Sequence, residues 1–200
     1  MKLFDTSITK NLLPIDGEVY YHGVVLSEQE ILQYFETLCT NIVWKQDKLI
    51  MFGKKIVTKR KVAWYGNRPY EYTYSNTTKK ALPWTAALLK LKQLVEAKTS
   101  ETYNSCLLNL YHNGTEGMSW HSDDEDMLVK NASIASLSIG VDRKFAFKHK
   151  DLKEKVTLTL ENGSLLEMKG TTQKYWQHAL PKTKKVISPR INLTFRSIID

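Results

Sequence analysis

From Ser105 to the end of the chain, apolar residues recur at every second position. The candidate strands are 105–112, 133–140, 143–148, 155–160, 164–168, 176–180 and 190–198. A period of two marks a half-buried strand, because successive side chains leave on opposite faces. Turn residues such as Asn113-Gly114 and Asn162-Gly163 separate the runs. So many short strands in succession fit a sandwich or a jelly roll. Two segments ahead of them carry helical spacing. Ser27 begins the first, and Glu30 completes a capping box three residues on. Ile31, Leu32, Phe35, Leu38 and Ile42 give that helix an apolar face. Pro83 stands near the start of the second, a favoured place for proline, and Trp84, Leu88, Leu91 and Val95 form its stripe. Residues 48–75 read as strands with loops, and the first ~25 residues as an irregular lead-in. The expected fold class is α+β, a jelly-roll core with supporting N-terminal helices.

At 200 residues the chain suits a single domain. Apolar and charged fractions of 42% and 25% exclude a mostly disordered chain. No apolar run approaches the ~18–20 residues of a membrane span, and the N-terminus has no signal-peptide core. Two cysteines, Cys39 and Cys106, are too few for a disulfide framework, so a reducing, intracellular setting is expected. The formal net charge of +8 suits an anionic partner, with nucleic acid ahead of a membrane surface.

The last strand, Arg190-Ile191-Asn192-Leu193-Thr194-Phe195-Arg196, is the most informative. Ile191, Leu193 and Phe195 share one face, while Arg190, Asn192, Thr194 and Arg196 share the other. That polar face is either solvated or turned into a pocket. In the second case two arginines in register can grip a small dianion, because a guanidinium matches a carboxylate fork. His121-Ser122-Asp123 puts an imidazole and a carboxylate on one side of an extended segment, and His178 lies on a later strand. Two histidines and one carboxylate make the facial triad of non-haem Fe(II) oxygenases, but standing alone His121 and His178 read first as structural histidines. Asn109 and Tyr111 share a strand face ten residues before the His-x-Asp and can add donors to the same pocket. His22, His112 and His149 show no such arrangement and read as structural.

In this order the motifs resemble the AlkB family of Fe(II)- and 2-oxoglutarate-dependent dioxygenases, closest to the DNA-repair branch that contains the second and third human homologues. The resemblance runs from about Phe52 to the C-terminus. It rests on Asn109–Tyr111, His121–Glu125, Ala135–Gly140, Asn162–Leu166, His178–Pro181 and Pro189–Arg196. It implies a double-stranded β-helix in one domain, 1–200: an N-terminal extension and helix (1–45), a nucleotide-recognition lid region and second helix (46–100), and the catalytic jelly roll (101–200). By resemblance, His121, Asp123 and His178 hold Fe(II). Asn109, Tyr111, Arg190, Asn192, Thr194 and Arg196 hold 2-oxoglutarate. The implied reaction is oxidative demethylation of 1-methyladenine and 3-methylcytosine in DNA. It consumes O2 and 2-oxoglutarate and releases formaldehyde, succinate and CO2. The alternatives are the same chemistry on single-stranded DNA or RNA, or a dioxygenase for a substrate other than nucleic acid.

The resemblance extends to substrate recognition. Tyr65-Gly66 and Tyr70–Ser75 match the base lid, with Tyr74 stacking on a flipped base opposite His121 and Tyr72 hydrogen-bonding nearby. Arg60 reaches the active site and pairs with Asp124, while Glu125 reads the exocyclic amine. Asp124 and Glu125 are otherwise plain surface acids. Met51–Lys54 matches a finger hairpin in which Phe52 fills the gap left by the flipped base, or else covers the core edge. Lys182, Lys184 and Lys185 are placed for phosphates. The partner expected is alkylated DNA, duplex favoured, with RNA second; no membrane partner and a monomer are expected.

Overall fold

The computed structural model describes residues 10–51, 54–74 and 77–199, and the backbone alone for 47–51, 54–56, 72–74 and 77–78. In chain order the elements are β1 (Glu18–Val24), α1 (Glu28–Asn41), β2 (Lys45–Met51), β3 (Lys54–Gly66), β4 (Glu71–Tyr74), β5 (Thr77–Lys80), β6 (Leu82–Pro83) and α2 (Ala86–Thr99). They continue with β7 (Ser105–Tyr111), β8 (Met118–His121), β9 (Ile134–Gly140), β10 (Arg143–His149), β11 (Lys155–Leu160), β12 (Ser164–Lys169), α3 (Thr172–Tyr175), β13 (Trp176–Leu180) and β14 (Arg190–Arg196). The large sheet runs β1-β12-β9-β14-β7-β3-β2, with β6 beside β3, and a small sheet runs β11-β10-β13-β8. Two antiparallel sheets facing each other form a jelly-roll core. No described helix is long and apolar enough to cross a membrane.

The two-faced sequence of the central strands decides which side of the large sheet meets which layer. In β14, Ile191, Leu193 and Phe195 pack with Leu108, Leu110, Leu137 and Ile139 against Leu38 of α1 and Leu88, Leu91 and Val95 of α2. At about 25 cal/mol per Å² of apolar surface removed from water, this layer is the main support of the fold. The opposite faces of the same strands turn toward the small sheet. A second cluster lies there, including Val19, Phe147, Leu166 and Trp176. The expected polar face of β14 is therefore interior, not solvated: Arg190, Asn192 and Thr194 are all buried.

α1 starts as its capping box dictates, with Ser27 Oγ accepting from the Glu30 N–H and the Glu30 carboxylate accepting from the Ser27 N–H. Three expectations need correction. Leu32 is 73% exposed, because α1 rests on the sheet through a narrow seam of Ile31, Leu38 and Ile42. Pro83 does not open α2; it lies in β6, and Thr85 caps the helix by accepting from the Leu88 N–H. The lead-in contains a strand, β1, which pairs with β12 at the sheet edge. Its pattern is faint because Val19 is its one fully buried residue.

Candidate active site

β7, β14 and β9 lie side by side, and residues opposite one another share a face. Tyr111 faces Arg190, Asn109 faces Asn192, and Ser138 and Ser136 stand across from Asn192 and Thr194. The result is a polar stripe across three strands, inside the molecule. Arg190 Nη2 donates to Ser138 Oγ (2.9 Å) and Asn192 Oδ1 (2.8 Å). Ser136 Oγ donates to Asn192 Oδ1 (2.9 Å), and Asn192 Nδ2 donates to Thr194 Oγ1 (2.7 Å). The stripe floors a cavity lined by Asn109, Tyr111, Arg190, Asn192, Thr194 and Arg196 together with His121, Asp123 and His178. All nine residues expected at the metal and cosubstrate positions thus meet in one place.

The three residues that could hold a metal are brought together at the small sheet. His121 ends β8 and pairs directly with His178 of β13, their ring centroids 4.3 Å apart. Asp123 follows two residues later, its backbone N–H donating to Gln173 Oε1 (2.9 Å). Ligand atoms of His121, Asp123 and His178 all lie within 4.8 Å of one another. The His121 Nδ1 sits 2.8 Å from the Ser119 carbonyl, which can only accept. Nδ1 therefore donates to it, which leaves Nε2, 3.8 Å from Asp123 Oδ1, as the ring atom on offer to a metal. Burial pushes His178 down to about 4, against the pull of Asp123, so this ring is a neutral donor. Burial alone would raise the Asp123 carboxyl, but the ion-paired Arg196 holds it below the usual range. Neutral imidazoles and an ionised carboxylate are the protonation states a divalent cation needs.

Unused polar atoms give a test of what the cavity fits. Asn109 Oδ1, Arg190 Nε and Arg196 Nε are buried without a hydrogen-bond partner. Burial pushes Arg190 down to about 10 even with Tyr111 beside it. A buried guanidinium facing a polar cavity, with no carboxylate bonded to it among the described residues, suits a carboxylate guest.

The substrate residues divide. Arg60 is buried and its Nη1 reaches Met118 Sδ (3.3 Å), whose side chain lines the cavity, so Arg60 does approach the site. Its expected pairing with Asp124 is not formed: Asp124 is a surface acid whose ion partner is Lys150, at 4.0 Å. Glu125 Oε1 lies 3.5 Å from Arg196 Nη1, and its Oε2 is buried without a partner. Tyr65 belongs to the core instead of the lid, since its hydroxyl accepts from the Val43 N–H beneath α1. Tyr72 and Tyr74 lie in β4, their side chains outside the described residues. Phe52 lies outside them altogether, between strands whose register sets Met51 opposite Lys54. Lys182, Lys184 and Lys185 are exposed on the loop after β13. Gly114 is required there, because a Cβ would lie 2.4 Å from the Thr183 carbonyl.

Sequence reasoning missed three contributors: Ser136, Ser138 and Gln173. The serines carried a signal, being two polar residues at i and i+2 in an apolar strand. Gln173 is brought in by a tertiary contact.

The family model described as the 2OG-Fe(II) oxygenase superfamily matches residues 17–196. Alpha-ketoglutarate-dependent dioxygenase alkB homolog 3 of Bos taurus is 42% identical over 174 residues, covering 82% of this chain and 60% of that protein. The DNA oxidative demethylase ALKBH2 of Homo sapiens is 38% identical over 178 residues, covering 85% and 68%. The chain thus spans about 60% of the length of its alkB homolog 3 relatives. The solved structure of OsALKBH1 superposes with a TM-score of 0.62 at 15% identity, over 92% of this chain and 98% of that one, a likeness of fold. With the family model and the relatives in agreement, the chain belongs to the 2OG-Fe(II) oxygenase superfamily, within its AlkB family.

Proposed function

We propose that this protein is an Fe(II)- and 2-oxoglutarate-dependent dioxygenase that removes methyl groups from alkylated bases, 1-methyladenine and 3-methylcytosine, in DNA. The observation that carries the reading is the His121, Asp123 and His178 cluster beside the buried Arg190–Asn192–Thr194 stripe, in one cavity. The first three residues would hold Fe(II). Arg190, Arg196, Asn109, Tyr111, Asn192 and Thr194 would hold 2-oxoglutarate. Bound together, iron and 2-oxoglutarate supply the activation of O2 that oxidises an N-methyl group, with succinate, CO2 and formaldehyde as products.

The chain's own residues do the rest. Arg190, braced by Ser138 and Asn192, orients a carboxylate with its free N–H. Arg196 keeps Asp123 ionised and aimed at the ligand cluster. Phe145 and Phe147 flank His178 and exclude water from that side.

DNA as the substrate is supported by the relatives named as DNA oxidative demethylases and by the net charge of +8. Beside the site, Trp120 is 39% exposed with Lys148 Nζ 5.0 Å from its ring centroid. Lys182, Lys184 and Lys185 add exposed charge for phosphates. The idle Glu125 Oε2 is an acceptor suited to a base amine, which a methylated base flipped from the duplex would offer. Duplex DNA is the preferred form proposed, on the resemblance of the sequence Met51–Lys54 to a finger hairpin. Cys39 and Cys106, both unpaired, suit an intracellular site of action.

The test supplies the protein with Fe(II), 2-oxoglutarate and ascorbate, and an oligonucleotide carrying one 1-methyladenine, single-stranded or annealed. Loss of one CH2 by mass, faster on the duplex and absent with His121→Ala, is expected. No loss on either form, with metal bound, overturns the DNA reading. Loss confined to the single strand overturns the duplex preference.

A further inference from the structure

Arg143 opens β10 and is 2% exposed. Its Nη2 donates to the carbonyl oxygens of Glu116 (2.9 Å), Pro181 (3.0 Å) and Gly114 (3.5 Å). One nitrogen therefore fastens the turn after β7 to the chain leaving β13. The remaining nitrogens, Nε and Nη1, are buried without a hydrogen-bond partner. A fastener does not need a full charge with two idle donors, and burying one is costly. Glu116 is the carboxylate that acts on it, but it is occupied by the His112 ring and backbone N–H.

The charge has a route to the cavity through Tyr111. Arg143 Cζ lies 6.0 Å from the Tyr111 ring centroid and Arg190 Cζ lies 5.7 Å from it. Tyr111 and Arg190 line the cavity, and Arg143 stands outside that lining. Two buried guanidiniums on one aromatic ring repel each other, and a carboxylate guest relieves both. Burial is the main cause of the depressed Arg190 pKa, and Arg143 adds to it.

We propose that Arg143 is a positioning residue for the cosubstrate: it fixes the Tyr111 ring and adds a second buried positive charge behind Arg190, so that the site selects a dicarboxylate over a monocarboxylate. This rests on the 2-oxoglutarate reading above. It makes affinity for 2-oxoglutarate depend on a residue outside the cavity lining.

The experiment titrates 2-oxoglutarate and 2-oxobutyrate, which lacks the second carboxylate, into Mn(II)-loaded protein by calorimetry. Wild type, Arg143→Gln and Arg143→Lys are compared, with thermal melts to verify folding. Arg143→Gln is expected to weaken 2-oxoglutarate binding about tenfold, the order for one buried charge acting over several ångströms, and to leave 2-oxobutyrate unchanged. Arg143→Lys, which keeps the charge, is expected to restore most of the preference. Equal weakening toward both acids, or no change in a folded Arg143→Gln protein, overturns the inference by reducing Arg143 to a fastener. Should Arg143→Gln fail to fold, loss of the preference in a folded Arg143→Lys protein overturns it. Wild type that binds Mn(II) but neither acid instead overturns the cosubstrate reading beneath it.

Discussion

Arg196 Nη2 lies 2.7 Å from Asp123 Oδ1. The last strand therefore holds the carboxylate of the His121–Asp123–His178 group, linking the large sheet to the small sheet. Burial opposes the charge on Arg196, yet Asp123 and Glu125 hold its pKa above the ordinary value. Removing one partner of a buried pair strands the other, at a cost of about 3–5 kcal/mol. Arg196→Gln is thus expected to lower stability on that scale, read as the midpoint of urea unfolding. An unchanged midpoint would show that the pair contributes nothing net.

Metal binding is expected to stabilise the fold, since the ligands converge only in the native state. At a hundredfold excess of Mn(II) over its Kd the gain is about 2.7 kcal/mol. It should appear as a chelator-reversible rise in Tm. His178→Ala and Asp123→Ala should abolish the rise. His149→Ala is the control: His149 is buried, but its ring accepts from the Asp151 and Leu152 N–H groups and faces Asp16, away from the cluster. That variant should be less stable and still respond to metal.

Much of this site was legible because both of its layers are written in strand alternation. Arg190, Asn192, Thr194 and Arg196 had to share a face, as had Asn109 and Tyr111. Which face was interior was not legible. That depended on α1 and α2 covering the apolar side, a tertiary outcome. Arg143 was invisible for a similar reason. At the head of a strand its charge reads as solvent-facing, and only the carbonyls of Gly114, Glu116 and Pro181 reveal it as buried. β8 was missed because it is short and ends in the polar residues that carry chemistry.

The exposure of Leu32 gives a direct check on how α1 packs. Leu32 and Leu38 belong to the same apolar pattern, but one is 73% exposed and the other 1%. Leu38→Ala is expected to cost about 2–5 kcal/mol, as buried truncations do. Leu32→Ala should stay within about 0.5 kcal/mol of wild type. Equal costs in urea unfolding would mean that both residues are covered.

Glu167 predicts a pH dependence of stability. Buried in β12, it accepts from Ser133 Oγ (2.9 Å) and lies 3.1 Å from the His22 ring. Burial would raise its pKa, but His22, Ser133 and Lys169 bring it below the ordinary 4.5. A depressed folded-state pKa means that the unfolded chain binds the proton more readily. The contribution is full above about pH 4.5, the ordinary value, and fades as pH falls through the folded-state value. The stability difference between wild type and Glu167→Gln should therefore shrink on acidification in that window. A difference that grows there would reverse the sign.

Trp120 tests the nucleic-acid face of the proposal. A register shift between β8 and β13 lets both Met118 and His121 line the cavity and leaves Trp120 exposed, so an exposed indole sits one residue from the His121–Asp123–His178 group. Lys148, above its ring, offers a phosphate contact at the same spot. A base stacked on an aromatic side chain is worth about 1–3 kcal/mol. Trp120→Ala should accordingly raise KM for a methylated oligonucleotide about tenfold while the KM for 2-oxoglutarate stays put. Lys148→Ala should reduce the slope of log affinity against log salt by about one, because one counterion-releasing contact is lost. The two substitutions probe different forces on one patch. A change in the 2-oxoglutarate KM as large as that for the oligonucleotide would show instead that Trp120 supports His121 from behind and touches no base.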